Sequence, residues 1–227
     1  MKTKKTKIAI DIDFLLRDWI SSLINIYRKQ IDEDYEIDIN DITDITNLYK
    51  LSPFPKYDYI EQVSDDDTEI VETILVVDEN EKMYPNEEYF NKFMIDNILE
   101  IFGYAKEVTP NIFLHLNDFS KLNKDKIDLT LFSKINGKGR SATCFFLSKC
   151  SSEISNIKFI SDYKELKSFD YIFTHTNISK GLSIKNTLIL FKTPFNGDIK
   201  ECTLSTDIMY ELNEILIDEN KLFLENI

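Results

Sequence analysis

The chain has 227 residues, 43% of them hydrophobic with 16 Phe and 11 Tyr, and a net charge of −13 from 40 acidic and 27 basic residues. That is enough apolar material for one sizeable α/β domain, or for one core carrying an insertion. The charge argues against a nucleic-acid backbone or an anionic membrane as main partner. It leaves room for a cation site, a basic protein partner or plain solubility.

Cys144, Cys150 and Cys202 are odd in number and lack metal-ligand spacing, so they read as reduced thiols of a cytoplasmic protein. The start is basic, but no long apolar segment follows, and neither a signal peptide nor a membrane span is expected. Abundant Ile, Asn and Lys hint at an AT-rich bacterial or phage genome.

Ile8-Ala9-Ile10 is a short apolar run that predicts a buried strand, and it ends in Asp11 and Asp13. The spacing after it predicts a helix over 15–30, and a second over 39–50 on Ile39, Ile42, Ile45 and Leu48. Pro53 and Pro55 interrupt the chain. The acidic run around Asp65-Asp66-Asp67 reads as a solvated loop or helix start, and Ile74-Leu75-Val76-Val77 as a strand or a helix end. An amphipathic helix is expected over 87–102, closed by Gly103. Another is expected from Pro110 to about Leu122, capped by Thr109, with His115 a packed or surface side chain.

From Lys126 the pattern alternates. Strands are expected at 127–132, ending in Ser133, and at 157–160, 170–173 and 187–191. Helices are expected at 141–149, 163–168 and 206–216, and βαβ spacing implies a parallel sheet. The expected architecture is therefore α/β: a core from 1–17 and 120–227, with a mainly helical cap over 18–119 inserted after the first strand. Such an insertion covers the strand ends as a lid does.

Two acids at a strand end sit where open α/β sheets bind ligands. They are costly there unless they hold a cation, react or stay wet; the plainer alternative is a polar turn capping the next helix.

The stretch Asp11-Ile12-Asp13-Phe14-Leu15-Leu16-Arg17-Asp18-Trp19 resembles the opening Asp-x-Asp-Gly-Val-Leu-Ala-Asp-Phe of the 5′(3′)-deoxyribonucleotidases, within the haloacid dehalogenase (HAD) superfamily. The later Ile189-Leu190-Phe191-Lys192-Thr193-Pro194-Phe195-Asn196 is similar to their late strand with its Pro-aromatic-Asn ending. The resemblance implies a Rossmannoid three-layer core and hydrolysis of a small phosphomonoester, such as a (deoxy)nucleoside 5′-monophosphate. It makes Asp11 the nucleophile, Asp13 the acid and base, and Ser133 a donor to the phosphoryl oxygens. It also implies a lysine near the following helix, for which Lys138 is the choice and Lys134 and Arg140 are rivals. A Mg²⁺ would screen the acids from the phosphate, since hard oxygen ligands suit it. Tyr and Phe of the insertion could stack on a base.

Two features depart from that pattern. Thr174 and His175 stand where the family has metal-binding Asp, and Phe14 stands where it has Gly. Thr is a neutral ligand and His a poor one for Mg²⁺, while a ring at 14 narrows the site. Three outcomes are open: a weakened Mg²⁺ site at Asp11, Asp13, Thr174 and His175, a softer metal recruited by His175, or a scaffold that has lost its chemistry. In the last case the acidic chain would be a binding protein, docking a basic partner.

Overall fold

The computed structural model describes residues 5–30, 55–60, 74–82, 87–178, 182, 185–193 and 205–225. The expected helix over 39–50, the Asp65-Asp66-Asp67 run and Pro194-Phe195-Asn196 lie outside the described residues.

Strand β1 (Thr6–Asp11) is buried from Ile8 to Ile10, as its β-branched run demands. It leads into α1 (Ile12–Leu15), β2 (Arg17–Asp18) and α2 (Trp19–Gln30). The single helix expected over 15–30 is thus broken at its start. Asp18 accepts the backbone N–H of Ser21 (3.1 Å) and so caps α2, while Arg17 and Asp18 pair antiparallel with β5 (Lys106–Glu107). A side chain that competes for the backbone, plus a partner strand distant in sequence, overrides helical periodicity.

Between β2 and β5 lie an antiparallel hairpin, β3 (Pro55–Ile60) with β4 (Ile74–Lys82), and α3 (Glu87–Asp96). The helix expected to run to 102 ends early and is followed by a π-helical turn, Leu99–Gly103. Then come α4 (Ile112–Leu122), β6 (Ile127–Ser133), α5 (Gly139–Lys149) and β7 (Ile157–Phe159). A 3₁₀ turn at Tyr163–Leu166, β8 (Tyr171–Thr174), β9 (Thr187–Leu190) and α6 (Ile208–Glu225) complete the chain.

The main sheet has five strands in the order β7-β6-β1-β8-β9, all neighbours parallel. The alternation expected from 126 onward is therefore present, and the fold is α/β with a Rossmann-like parallel sheet flanked by helices. Alternate residues of β1 serve different sides. Ile8 and Ile10 join a large cluster with Leu23, Phe113, Phe146 and Leu212 from the helices, whereas Ala9 packs with Phe132, Ile160, Leu166 and Ile172. Among the described residues no helix is long and apolar enough to cross a membrane.

The connection from β1 reaches β6 on one side, while β8, on the other side of β1, connects outward to β9. The strand order thus reverses between β1 and β8. Their carboxyl ends are Asp11 and Thr174, and crevices at such reversals are where sheets of this kind hold ligands.

Candidate active site

Asp11 ends β1 and is the N-cap of α1, its Oδ1 accepting the N–H of Asp13 at 3.0 Å. The capping alternative is therefore realised. Because the backbone turns helical at Ile12, Asp11 and Asp13 do not share a side as they would along a strand. The Asp13 carboxylate reaches instead toward the end of β6. Its Oδ2 accepts the Ser133 hydroxyl at 2.8 Å and the Lys134 N–H at 3.2 Å, and its Oδ1 accepts the Arg17 guanidinium. On the other flank of β1, the Thr174 hydroxyl donates to Asp11 Oδ2 at 3.0 Å, and His175 Nδ1 lies 3.4 Å from the same oxygen.

A chain of hydrogen bonds thus links Ser133, Asp13, Asp11 and Thr174, with His175 beside Asp11, but the two carboxylates open to different flanks of β1. Lys138 does not join them: it is exposed at the N-cap of α5, outside this hydrogen-bonded network. Of its rivals, Lys134 places its ammonium 4.4 Å from the Tyr163 ring centroid, and Arg140 bonds Asn136 and lies over Phe159.

The residue the sequence reading missed is Arg17. It is 1% exposed, and its guanidinium donates to Asp13, to Thr143 Oγ1 (3.0 Å) and to the Phe102 carbonyl (3.4 Å). The rings of Phe102 and Phe146 lie 5.0 and 5.4 Å from it. Two signals pointed to it. Arg17 is four residues beyond Asp13, a spacing that pairs charges on a helix, and it stands where the quoted motif has Ala.

The electrostatics follow from burial. Asp11 and Asp13 are 3% and 6% exposed. Desolvation pushes the Asp13 carboxyl above its ordinary range; Arg17 opposes the shift and Asp11 adds to it. Desolvation likewise pushes Arg17 down, against the pull of Asp13. Tyr163, beside the acids, is pushed up to about 12, first by burial and then by the Asp11 charge.

Phe14 is half-buried beside His175. Its ring lies against His175, centroids 3.8 Å apart, and edge-on to Trp19, which stacks on Phe102. These rings pack on one another. His175 Nε2 is 2.9 Å from the Thr176 hydroxyl, so both ring nitrogens face protein oxygens.

The donor set does not fit Mg²⁺. Both Asp13 oxygens are taken, one of them by a guanidinium that competes for the charge a cation needs, and both Asp11 oxygens accept internal donors. Among the described residues no three His, Cys, Asp or Glu side chains come together as a metal site.

Beyond Phe14 lies a cleft of about 470 Å³ between α1, the start of α4, the end of β9 and the start of α6. Asp11 and Asp13 do not line it. Compared with known proteins, the sequence matches no family model, and no curated protein matches it.

Proposed function

We propose that the chain is a HAD-type scaffold that works by binding rather than by turnover, its phosphoryl-transfer centre replaced by a closed electrostatic cluster. The observation carrying this reading is the Arg17 guanidinium on Asp13. It ties down the carboxylate that would have to move protons, and the Ser133 hydroxyl that would meet a phosphoryl oxygen is spent on the same Asp13. Among the described residues, Arg17 is the one Lys or Arg side chain bonded to the pair, so a phosphate dianion brought to Asp11 would meet a second carboxylate and a guanidinium already committed to it. The net charge of −13 favours a basic protein as partner.

A second reading is supported by the hydrogen-bonded link from Ser133 through Asp13 and Asp11 to Thr174 where the strand order reverses. In it the chain is a 5′(3′)-deoxyribonucleotidase-like phosphohydrolase. Residues 18–119 form its cap, Asp11 is nucleophile, Asp13 acid and base, and Lys138 the cation.

One experiment separates the two. Phosphate release is measured from deoxynucleoside 5′-monophosphates and a general phosphomonoester with Mg²⁺, Mn²⁺ or Co²⁺. The expected result is no release above the blank, unchanged in Asp11→Asn. Turnover that disappears in Asp11→Asn establishes the phosphohydrolase instead.

A further inference from the structure

The cleft beyond Phe14 has the construction of a small-molecule site. Its floor is apolar and buried: Leu15, Ile112, Phe191 and Ile208 are each less than 8% exposed. The Phe14 ring forms part of its wall. Its rim is polar and exposed, with Thr109, His115, Lys192, Thr206 and Asp207. A volume of about 470 Å³ lies within the range of ligand pockets, and an apolar interior with a few convergent polar groups is their usual chemistry.

The two charged rim residues are not equivalent. Asp207 Oδ1 accepts the N–H groups of Met209 (2.8 Å) and Tyr210 (3.1 Å), which sets its charge against the positive end of the 18-residue helix α6. Among the described residues, the Lys192 side chain has no such partner. Among the described residues, the rim charge without such a partner is therefore the positive one of Lys192, and His115 adds an imidazole that can donate. We propose that this cleft binds a small amphipathic anion, its hydrophobic body on Phe14, Phe191 and the aliphatic floor and its acidic head at Lys192. Asp11 and Asp13 are not among the lining residues, so occupancy does not depend on chemistry at the acids.

The probe is 8-anilinonaphthalene-1-sulfonate, compared with N-phenyl-1-naphthylamine, which has the same rings and no charge. The sulfonate is expected to bind saturably, one per chain, and more tightly than the amine. Lys192→Gln should weaken the sulfonate roughly three- to fivefold, as for a solvent-exposed charge pair, and leave the amine unchanged. Thr109→Trp, and independently Thr206→Trp, should block both probes. All three positions are exposed, so unchanged thermal unfolding is the control. Probe binding that ignores both tryptophans places the dye elsewhere and overturns the site. Blocking by the tryptophans with no effect of Lys192→Gln overturns the anion as its ligand class.

Discussion

A guanidinium at 1% exposure persists only where its charge is met, and Arg17 is met by a carboxylate, a hydroxyl, a carbonyl and two aromatic faces. Among the described residues the carboxylate has no other cation in contact, so each partner is the other's condition for being buried. Arg17→Met and Asp13→Asn should therefore each cost about 3–5 kcal/mol in denaturant unfolding, since each strands or weakens the other. The double variant should cost about 1–3 kcal/mol less than the sum. Strict additivity would show that the pair is not coupled. The pH dependence has a definite sign. An acid whose folded pKa is raised contributes stability that is full below its unfolded value, near 3.8, and is lost as pH rises through the folded one. Arg17 is the group holding that rise in check, so the deficit of Arg17→Met should shrink on acidification toward pH 4.

At the scale of elements, α5 begins two residues before the helix expected at 141–149, and its first residue explains why a glycine stands there. A Cβ on Gly139 would lie 1.9 Å from Ile135 Cγ2, a methyl on a stiff β-branched stem, with Ile98 also close. Gly139→Ala should destabilise by about 1–3 kcal/mol, and Ile135→Ala added to it should recover part of the loss, both read by thermal unfolding. The glycine that makes the turn is Gly137, at φ +59°. What was legible in the sequence was local. β1, β6, β8 and β9 are carried by short apolar, β-branched runs, and their βαβ spacing announces parallel pairing. What was not legible needed partners far away. Thr109 does not cap α4; Asn111 takes the N-cap at φ 63°, and the Glu107 carboxylate accepts the N–H groups of Asn111 and Phe113, both at 3.2 Å. The π-helical turn likewise packs against distant chain: a Cβ on Gly103 would lie 3.1 Å from Phe145 Cδ1 and 3.5 Å from the Ala142 carbonyl oxygen. Of the site, Asp11, Asp13, Ser133, Thr174 and His175 were readable from strand ends. Arg17 was hidden inside an expected helix that the structure breaks.

For the molecule as a whole, the order β7-β6-β1-β8-β9 is set by backbone ladders and does not depend on what stands at the strand ends. The crevice at the β1–β8 reversal therefore outlives any particular chemistry in it, and scaffold and activity separate. In the closed-cluster reading three side chains do the closing: Phe14 lies on His175, Arg17 holds Asp13, and Thr174 places a hydroxyl where a third carboxylate would complete a cation site. Reversing all three, with Phe14→Gly, Arg17→Ala and Thr174→Asp, removes the ring, frees Asp13 and puts a third acid beside Asp11. Three unscreened carboxylates repel, so this variant should unfold at lower temperature than the parent in EDTA. A hard divalent cation that binds only the folded state must then restore it, because its binding energy adds to stability. In Mg²⁺ well above the dissociation constant the variant should gain about 5 °C or more, and the parent should not respond. A parent shifted equally by Mg²⁺ would mean that Arg17 yields its place to the ion, and the cluster would then be an open metal site rather than a closed one.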